Sequence, residues 1–122
     1  MKFLVIDDSS TMRRIIINTL KQIGHHDVME AENGKQALAH LDECGGVDLI
    51  ITDWNMPVMD GLTFVKNVKS GPYANTPILM VTTMAAKDDV IIALKAGVSN
   101  YVIKPMSPET LRAKLDAILA KG

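Results

Sequence analysis

Cysteine is nearly absent from this chain. Cys44 stands alone, so no internal disulfide can form and the fold must rest on its core. A lone thiol fits a reducing, intracellular setting. Aromatic side chains make up only 4% of residues, which argues against a flavin carrier, whose ring system needs aromatic faces around it. Long apolar runs are missing too: none approaches the ~18 residues that a membrane span requires. Met1-Lys2 leads into a short apolar run that stops at two aspartates, which is not the layout of a secretory signal. Nor is there a surplus of charge. The formal net charge is −1, so nothing suggests the clustered positive field that draws nucleic acid or an anionic membrane. The expectation is a soluble, cytoplasmic protein with neither among its partners.

What is present is enough for one compact domain. Of 122 residues, 48% are hydrophobic and 22% charged, a balance that builds a core and keeps a solvated surface. No linker, repeat or low-complexity tract interrupts the chain, so residues 1–122 are read as a single domain. Short β-branched runs recur at Phe3–Ile6, Val47–Ile51, Ile78–Val81 and Tyr101–Ile103, with a weaker one at Asp27–Ala31. Continuous apolar runs of this length suit strands buried on both faces of a parallel sheet.

Helical spacing lies between them. Met12, Ile15, Ile16, Thr19, Leu20 and Ile23 form one stripe, with Ser9 or Ser10 as its cap and Gly24 as its end. Lys35–Glu43 turns Ala37, Leu38 and Leu41 inward, and a third helix starts at Asp60 and carries Leu62, Val65 and Val68. A fourth spans Lys87–Ala96 and stops at Gly97, and Pro108–Ala120 makes a fifth with Leu111, Leu115, Ile118 and Leu119 as its apolar face. Alternating strand and helix predict an α/β fold with a five-stranded parallel sheet covered on both faces. Sites in such sheets form at the carboxyl ends of the strands.

Those ends carry Asp7-Asp8, then Thr52-Asp53 followed by Trp54-Asn55-Met56-Pro57, then Thr82-Thr83, then Lys104-Pro105. Taken singly, each has a plain structural reading: a strand-end aspartate as a turn or cap residue, a threonine as a strand former, a lysine as surface. Four strand ends supplying such residues together is another matter. Three converging carboxylates repel one another unless a cation joins them. An all-oxygen donor set favours Mg²⁺ over zinc, and no His/Cys cluster has zinc spacing. One carboxylate is then free to attack phosphorus, with Lys104 and the Thr82 hydroxyl placed to meet phosphoryl oxygens.

These residues resemble the receiver domains of two-component response regulators over essentially the whole chain. The resemblance rests on Val5-Ile6-Asp7-Asp8-Ser9, on Asp53 through Gly61, on Val81-Thr82-Thr83 and on Lys104-Pro105. Ser10-Thr11-Met12-Arg13-Arg14-Ile15 and Trp54 bring it nearest to the chemotaxis regulators of CheY type. It implies the doubly wound, flavodoxin-like strand order 2-1-3-4-5, the order known for CheY itself. It implies Asp53 as phosphoacceptor, Asp8 as direct Mg²⁺ ligand, Asp7 as holder of a metal-bound water and Asn55 as donor of a backbone carbonyl. Thr82 is implied as the switch hydroxyl, Tyr101 as the aromatic that follows it, and Lys104 as the phosphate partner ahead of a cis Lys104-Pro105 bond. The implied donor is a CheA-like histidine kinase. The implied target is a flagellar motor switch protein of FliM type, with a phosphatase as a further partner and a monomer as the working state. Val90, Leu94, Tyr101 and Lys114 are the candidates for partner contact. A receiver in a phosphorelay or another non-motility pathway is the alternative. With the sequence ending at Gly122, output is expected through another protein.

Two positions depart from the enteric pattern: Met84 stands where Glu is usual, and Met106 where Phe is usual. The fourth helix is apolar all round from Val90 to Leu94, so it is either deeply packed or kept for a partner. His25, His26, His40 and Cys44 are read as having no part in the site. An aspartyl phosphatase, the enzymatic competitor, needs an Asp-x-Asp nucleophile after the first strand and a cap segment, and neither fits here.

Overall fold

The structure, a computed structural model, describes residues 1–120. Its elements alternate strictly: β1 (Lys2–Ile6), α1 (Ser10–Gln22), β2 (Asp27–Ala31), α2 (Gly34–Cys44), β3 (Leu49–Thr52), α3 (Gly61–Lys69), β4 (Ile78–Thr82), α4 (Lys87–Ala96), β5 (Asn100–Ile103) and α5 (Pro108–Ala120). All strand pairs are parallel, in the order β2-β1-β3-β4-β5. The α/β class and the strand order are those expected.

Alternation along each strand splits the core in two. Leu4, Ile6, Ile50, Ile78 and Met80 face one way and pack with Ala37, Leu41, Phe64, Val65, Val68 and Ala93 from α2, α3 and α4. Phe3, Val5, Leu49, Ile51, Leu79, Val81 and Val102 face the other way, against Ile16 and Leu20 of α1 and Leu111, Leu115 and Ile118 of α5. β1, β3 and β4 lie inside the sheet, so their runs from Phe3, Leu49 and Ile78 are buried throughout.

Helix starts follow local chemistry. Ser9 caps α1 by accepting from Met12 N, Asn33 caps α2 through Gln36 N, and Asp60 caps α3 through Thr63 N. Gly97 ends α4 in the left-handed conformation at φ 117°. The expected inward stripe of α1 is narrower than drawn. Ile16, Thr19 and Leu20 are buried, but Ile15 is 41% exposed, because the successive residue Ile16 takes the centre of the stripe and turns its neighbour outward. No helix among the described residues is long and apolar enough to cross a membrane.

Candidate functional site

The sheet itself sets the acidic residues in place. One further hydrogen bond continues the ladder past β1, from Asp7 N to Ala31 O at 3.1 Å, and another past β3, from Asp53 N to Ile6 O at 2.9 Å. Asp7 and Asp53 are thus the first residues off two adjacent central strands, and both are buried. Asp8 follows at the surface. One carboxylate oxygen from each of Asp7, Asp8 and Asp53 lies within 4.8 Å of the others.

Lys104 enters from the end of β5. Its backbone N–H donates to Thr82 O at 2.8 Å, and its bond to Pro105 is cis, as the resemblance implied. The ammonium donates to Asp7 Oδ2 at 2.8 Å and to Asp53 Oδ2 at 3.0 Å. One cation therefore serves two carboxylates, and the two sides of that arrangement differ. Burial pushes the Asp7 carboxyl up; the bonds from Lys104 and the Ser9 N–H oppose this without overcoming it, and the charge of Asp53 adds to it. Burial works against the Lys104 ammonium as well, but bonds to both carboxylates outweigh it and hold that group above its ordinary range. Lys104 is firmly charged, while Asp7 is short of positive neighbours.

This imbalance is the test of whether a metal fits. Three carboxylates against one ammonium leave a formal surplus of two negative charges, which a divalent cation neutralises. All the donors are oxygens, and Asp8 is open to solvent, as Mg²⁺ with its retained waters requires. Receiver domains typically bind Mg²⁺, and the donor set of Asp7, Asp8 and Asp53 suits it.

The loop after Asp53 is tightly built. Trp54 N donates to Asp53 Oδ1 at 2.6 Å, fixing that carboxylate from behind. Asn55 lies exposed, two residues past Asp53. The Met59 N–H to Pro57 O bond of 2.8 Å closes a γ-turn around Val58, which sits at φ 70°. Gly61 N then returns to Trp54 O at 2.7 Å, so close that a Cβ on Gly61 would run into the Asp53 carbonyl.

Thr82, the last residue of β4, is fully buried, and its hydroxyl accepts from Met84 N at 3.4 Å. On the other side of the same residue, Tyr101 donates its hydroxyl to Met84 O at 2.6 Å. Burial, and then the charges of Asp89 and Asp53, push the Tyr101 phenol up to about 12, so it remains a donor. Tyr101 is only 8% exposed, turned inward and not presented to a partner in this conformation. Of the other candidates for partner contact, Leu94 is exposed while Val90 and Lys114 are half-buried. Deep packing of α4 is excluded: only Ala93 is buried in it, and Ile91, Ile92 and Leu94 stand exposed, as does Ile103 on β5.

The sequence reading assigned Ser9 only a capping role and Arg13 none of its own, yet both brace Asp7. Ser9 N donates to Asp7 Oδ1 at 2.9 Å, and Arg13 Nη1 to Asp7 O at 2.6 Å. Ser9 and Arg13 lie inside quoted motifs, but only the fold brings the Arg13 guanidinium onto that carbonyl. His25 lies against Phe3 with ring centroids 4.7 Å apart, and His40 lies 4.0 Å from Glu43 at the surface of α2, both away from the cluster.

A doubly wound sheet with this set of residues at its carboxyl edge defines a class, and comparison with known proteins agrees. Residues 3–116 match the response regulator receiver domain, and the chain belongs to that family. Within it, the chain is 54% identical over 123 residues to a chemotaxis protein CheY homolog of Campylobacter jejuni, covering 100% of this chain and 95% of that one. It is 53% identical to the chemotaxis protein CheY1 of Helicobacter pylori, covering 98% and 97%. Among solved structures, chemotaxis response regulator CheY4 of Vibrio cholerae superimposes with a TM-score of 0.88 at 38% identity, covering 96% and 97%. The CheY of a Borrelia burgdorferi complex shares the fold at a TM-score of 0.92 and 20% identity, covering 98% of this chain and 89% of that one.

Proposed function

We propose that this chemotaxis response regulator accepts a phosphoryl group on Asp53 and passes the signal on by changing the surface of α4, β5 and α5. The observation that carries the reading is the shared ammonium: Lys104 already spans Asp7 and Asp53. It can leave one carboxylate for a phosphoryl oxygen without leaving the site. Asp8, Asp53 and the Asn55 carbonyl would hold Mg²⁺, with Asp7 meeting it through a water, and the ion would supply charge neutralisation at the phosphoryl oxygens. Trp54 N orients the Asp53 carboxylate for attack, using an oxygen other than the one facing Lys104. Lys104 stabilises charge on the transferred group.

The Thr82 hydroxyl is a donor not yet committed to the site. Turning it towards a phosphoryl oxygen gives up its weak 3.4 Å bond from Met84 N. Because Tyr101 is tied to the carbonyl of that same Met84, the rearrangement reaches the β5 aromatic directly. Val90, Leu94, Tyr101 and Lys114 form the surface that a FliM-like motor switch protein reads, and a CheA-like histidine kinase supplies the phosphoryl group. The chain promotes the transfer and its own slow hydrolysis, and otherwise acts by binding. Met84, partly buried against the core, sets water access and hence phosphoryl lifetime, as does any phosphatase partner.

The test is intact-mass measurement after incubation with a small phosphodonor and Mg²⁺. Wild type should gain one phosphoryl increment, and Asp53→Asn none. An unchanged adduct on Asp53→Asn would sink the assignment.

A further inference from the structure

We propose that Arg13 is a positioning residue for the metal site, acting through the backbone carbonyl of Asp7. The inference rests on the Mg²⁺ reading above and deepens it. Asp7 has every polar group engaged. Its N–H is taken by Ala31 O, its Oδ1 by Ser9 N, its Oδ2 by Lys104 and its carbonyl by Arg13 Nη1 at 2.6 Å. Without the arginine, that carbonyl has no other protein partner among these contacts. The Asp7-Asp8 peptide, which the carbonyl belongs to, is then free to rotate. That rotation would swing Asp8 away from Asp53.

The guanidinium does not act alone. Its Nε donates to Glu30 Oε1 at 3.0 Å, and Glu30 lies on β2 one residue before Ala31, the residue that holds Asp7 N. Arg13 on α1, Glu30 on β2 and Asp7 after β1 form a closed brace across three consecutive elements. The Arg13 side chain is 11% exposed and that of Glu30 51%, so the arginine is the buried member. A lysine reaches either oxygen as a point charge but cannot fill both with one planar fork.

The charge argument and the positioning argument predict opposite signs. A cation near a metal site repels the metal, so if Arg13 acted only by its charge, removing it would tighten Mg²⁺ binding. If it acts by holding the peptide, removal weakens binding. Groups that orient ligands from behind typically change metal affinity by about 10-fold or more, and the Glu30 carboxylate beside Arg13 largely cancels its field.

The experiment is Mg²⁺ titration of unphosphorylated protein followed by Trp54 fluorescence, since the buried indole adjoins Asp53. It is done at a temperature where circular dichroism shows each metal-free variant folded. Arg13→Met should raise the Mg²⁺ dissociation constant by about 10-fold. Arg13→Lys should recover part of that loss, and Arg14→Met, at an exposed neighbour, should leave the constant unchanged. Glu30→Gln, which keeps the arginine and is the safer variant for folding, should weaken binding by a smaller factor. An unchanged or tighter constant in Arg13→Met, whatever its unfolding temperature, overturns the proposal and leaves the metal reading intact. If Arg13→Met does not fold, an unchanged constant in Glu30→Gln overturns it. If wild type itself shows no saturable Mg²⁺ response that Asp8→Asn removes, both readings fall.

Discussion

The two ends of the sheet use charge in opposite ways. At the amino end lies an open groove of about 560 Å³, bounded by residues including Lys2, Gly46, Tyr73 and Thr76. Charges there work singly to tie down loops. Asp48 Oδ2 accepts from the Lys2 N–H at 2.6 Å, and the Lys69 ammonium donates to the carbonyls of Ala74 and Thr76 at 3.0 and 2.8 Å. At the carboxyl end, two buried carboxylates share one ammonium and a third carboxylate stands beside them. The groove lies at one end and the clustered charge at the other. Space is common on a small protein, whereas uncompensated buried charge is costly and is kept where it does something.

That contrast can be broken at several points. The largest effect belongs to Gly61→Ala. Its new Cβ must displace the Asp53 carbonyl, which should cost about 3 kcal/mol in chemical denaturation and slow phosphoryl uptake together. Lys69→Met at the other end strands two loop carbonyls but keeps the aliphatic stem beside Gly97. It should cost about 1.5 kcal/mol while leaving phosphodonor labelling at the wild-type rate. A slowed label would mean the ends are coupled and the comparison is wrong.

Asp7→Asn should do the reverse of an ordinary site mutation. The Asp7 carboxyl is raised above its usual 3.8 in the folded protein, so the fold binds that proton more tightly than the unfolded chain does. Metal-free protein therefore loses stability as pH rises from 3.8 through the raised value, and the loss persists at neutral pH. Denaturation without Mg²⁺ at neutral pH should show Asp7→Asn more stable by about 1 kcal/mol, with weaker Mg²⁺ binding in titration. The smallest effect is at Val58, a β-branched residue at φ 70° that is 76% exposed. Val58→Gly relieves left-handed strain of about 1–3 kcal/mol and adds unfolded-chain entropy of nearly that size. A net gain of about 0.5 kcal/mol should appear as a small rise in the unfolding midpoint.

Much of this was legible in the sequence because the signals are local. The apolar runs of β1 and β4, the Asp60 cap and the Gly97 stop all lie within a few residues of what they determine. The boundaries that shifted did so for side-chain reasons. β3 was expected to begin at Val47, but Asp48 turns its carboxylate to the Lys2 N–H and the ladder begins at Leu49. Its far end falls at Thr52, within the expected Thr52-Asp53 strand end, where Thr52 is fully buried and bonds the Asp53 carbonyl with its hydroxyl at 2.9 Å. Asp7, Asp53, Thr82 and Lys104 could be named because a parallel sheet puts its carboxyl ends on one edge. The Arg13–Glu30 brace and the Met84 peptide between Thr82 and Tyr101 could not. Each depends on a side chain crossing between elements, at 17 residues' separation in the first case and 17 in the second.

The bond between Lys104 and Asp7 joins residues 97 positions apart, and that between Lys104 and Asp53 joins residues 51 apart. Contacts of such range form only after loop closure has been completed across nearly the whole chain. A partly folded copy, even one with β1 to β3 already paired, has the Asp7 and Asp53 carboxylates but no ammonium beside them. The full cluster of two carboxylates on one ammonium therefore exists only once β5 has joined β4 at the sheet edge.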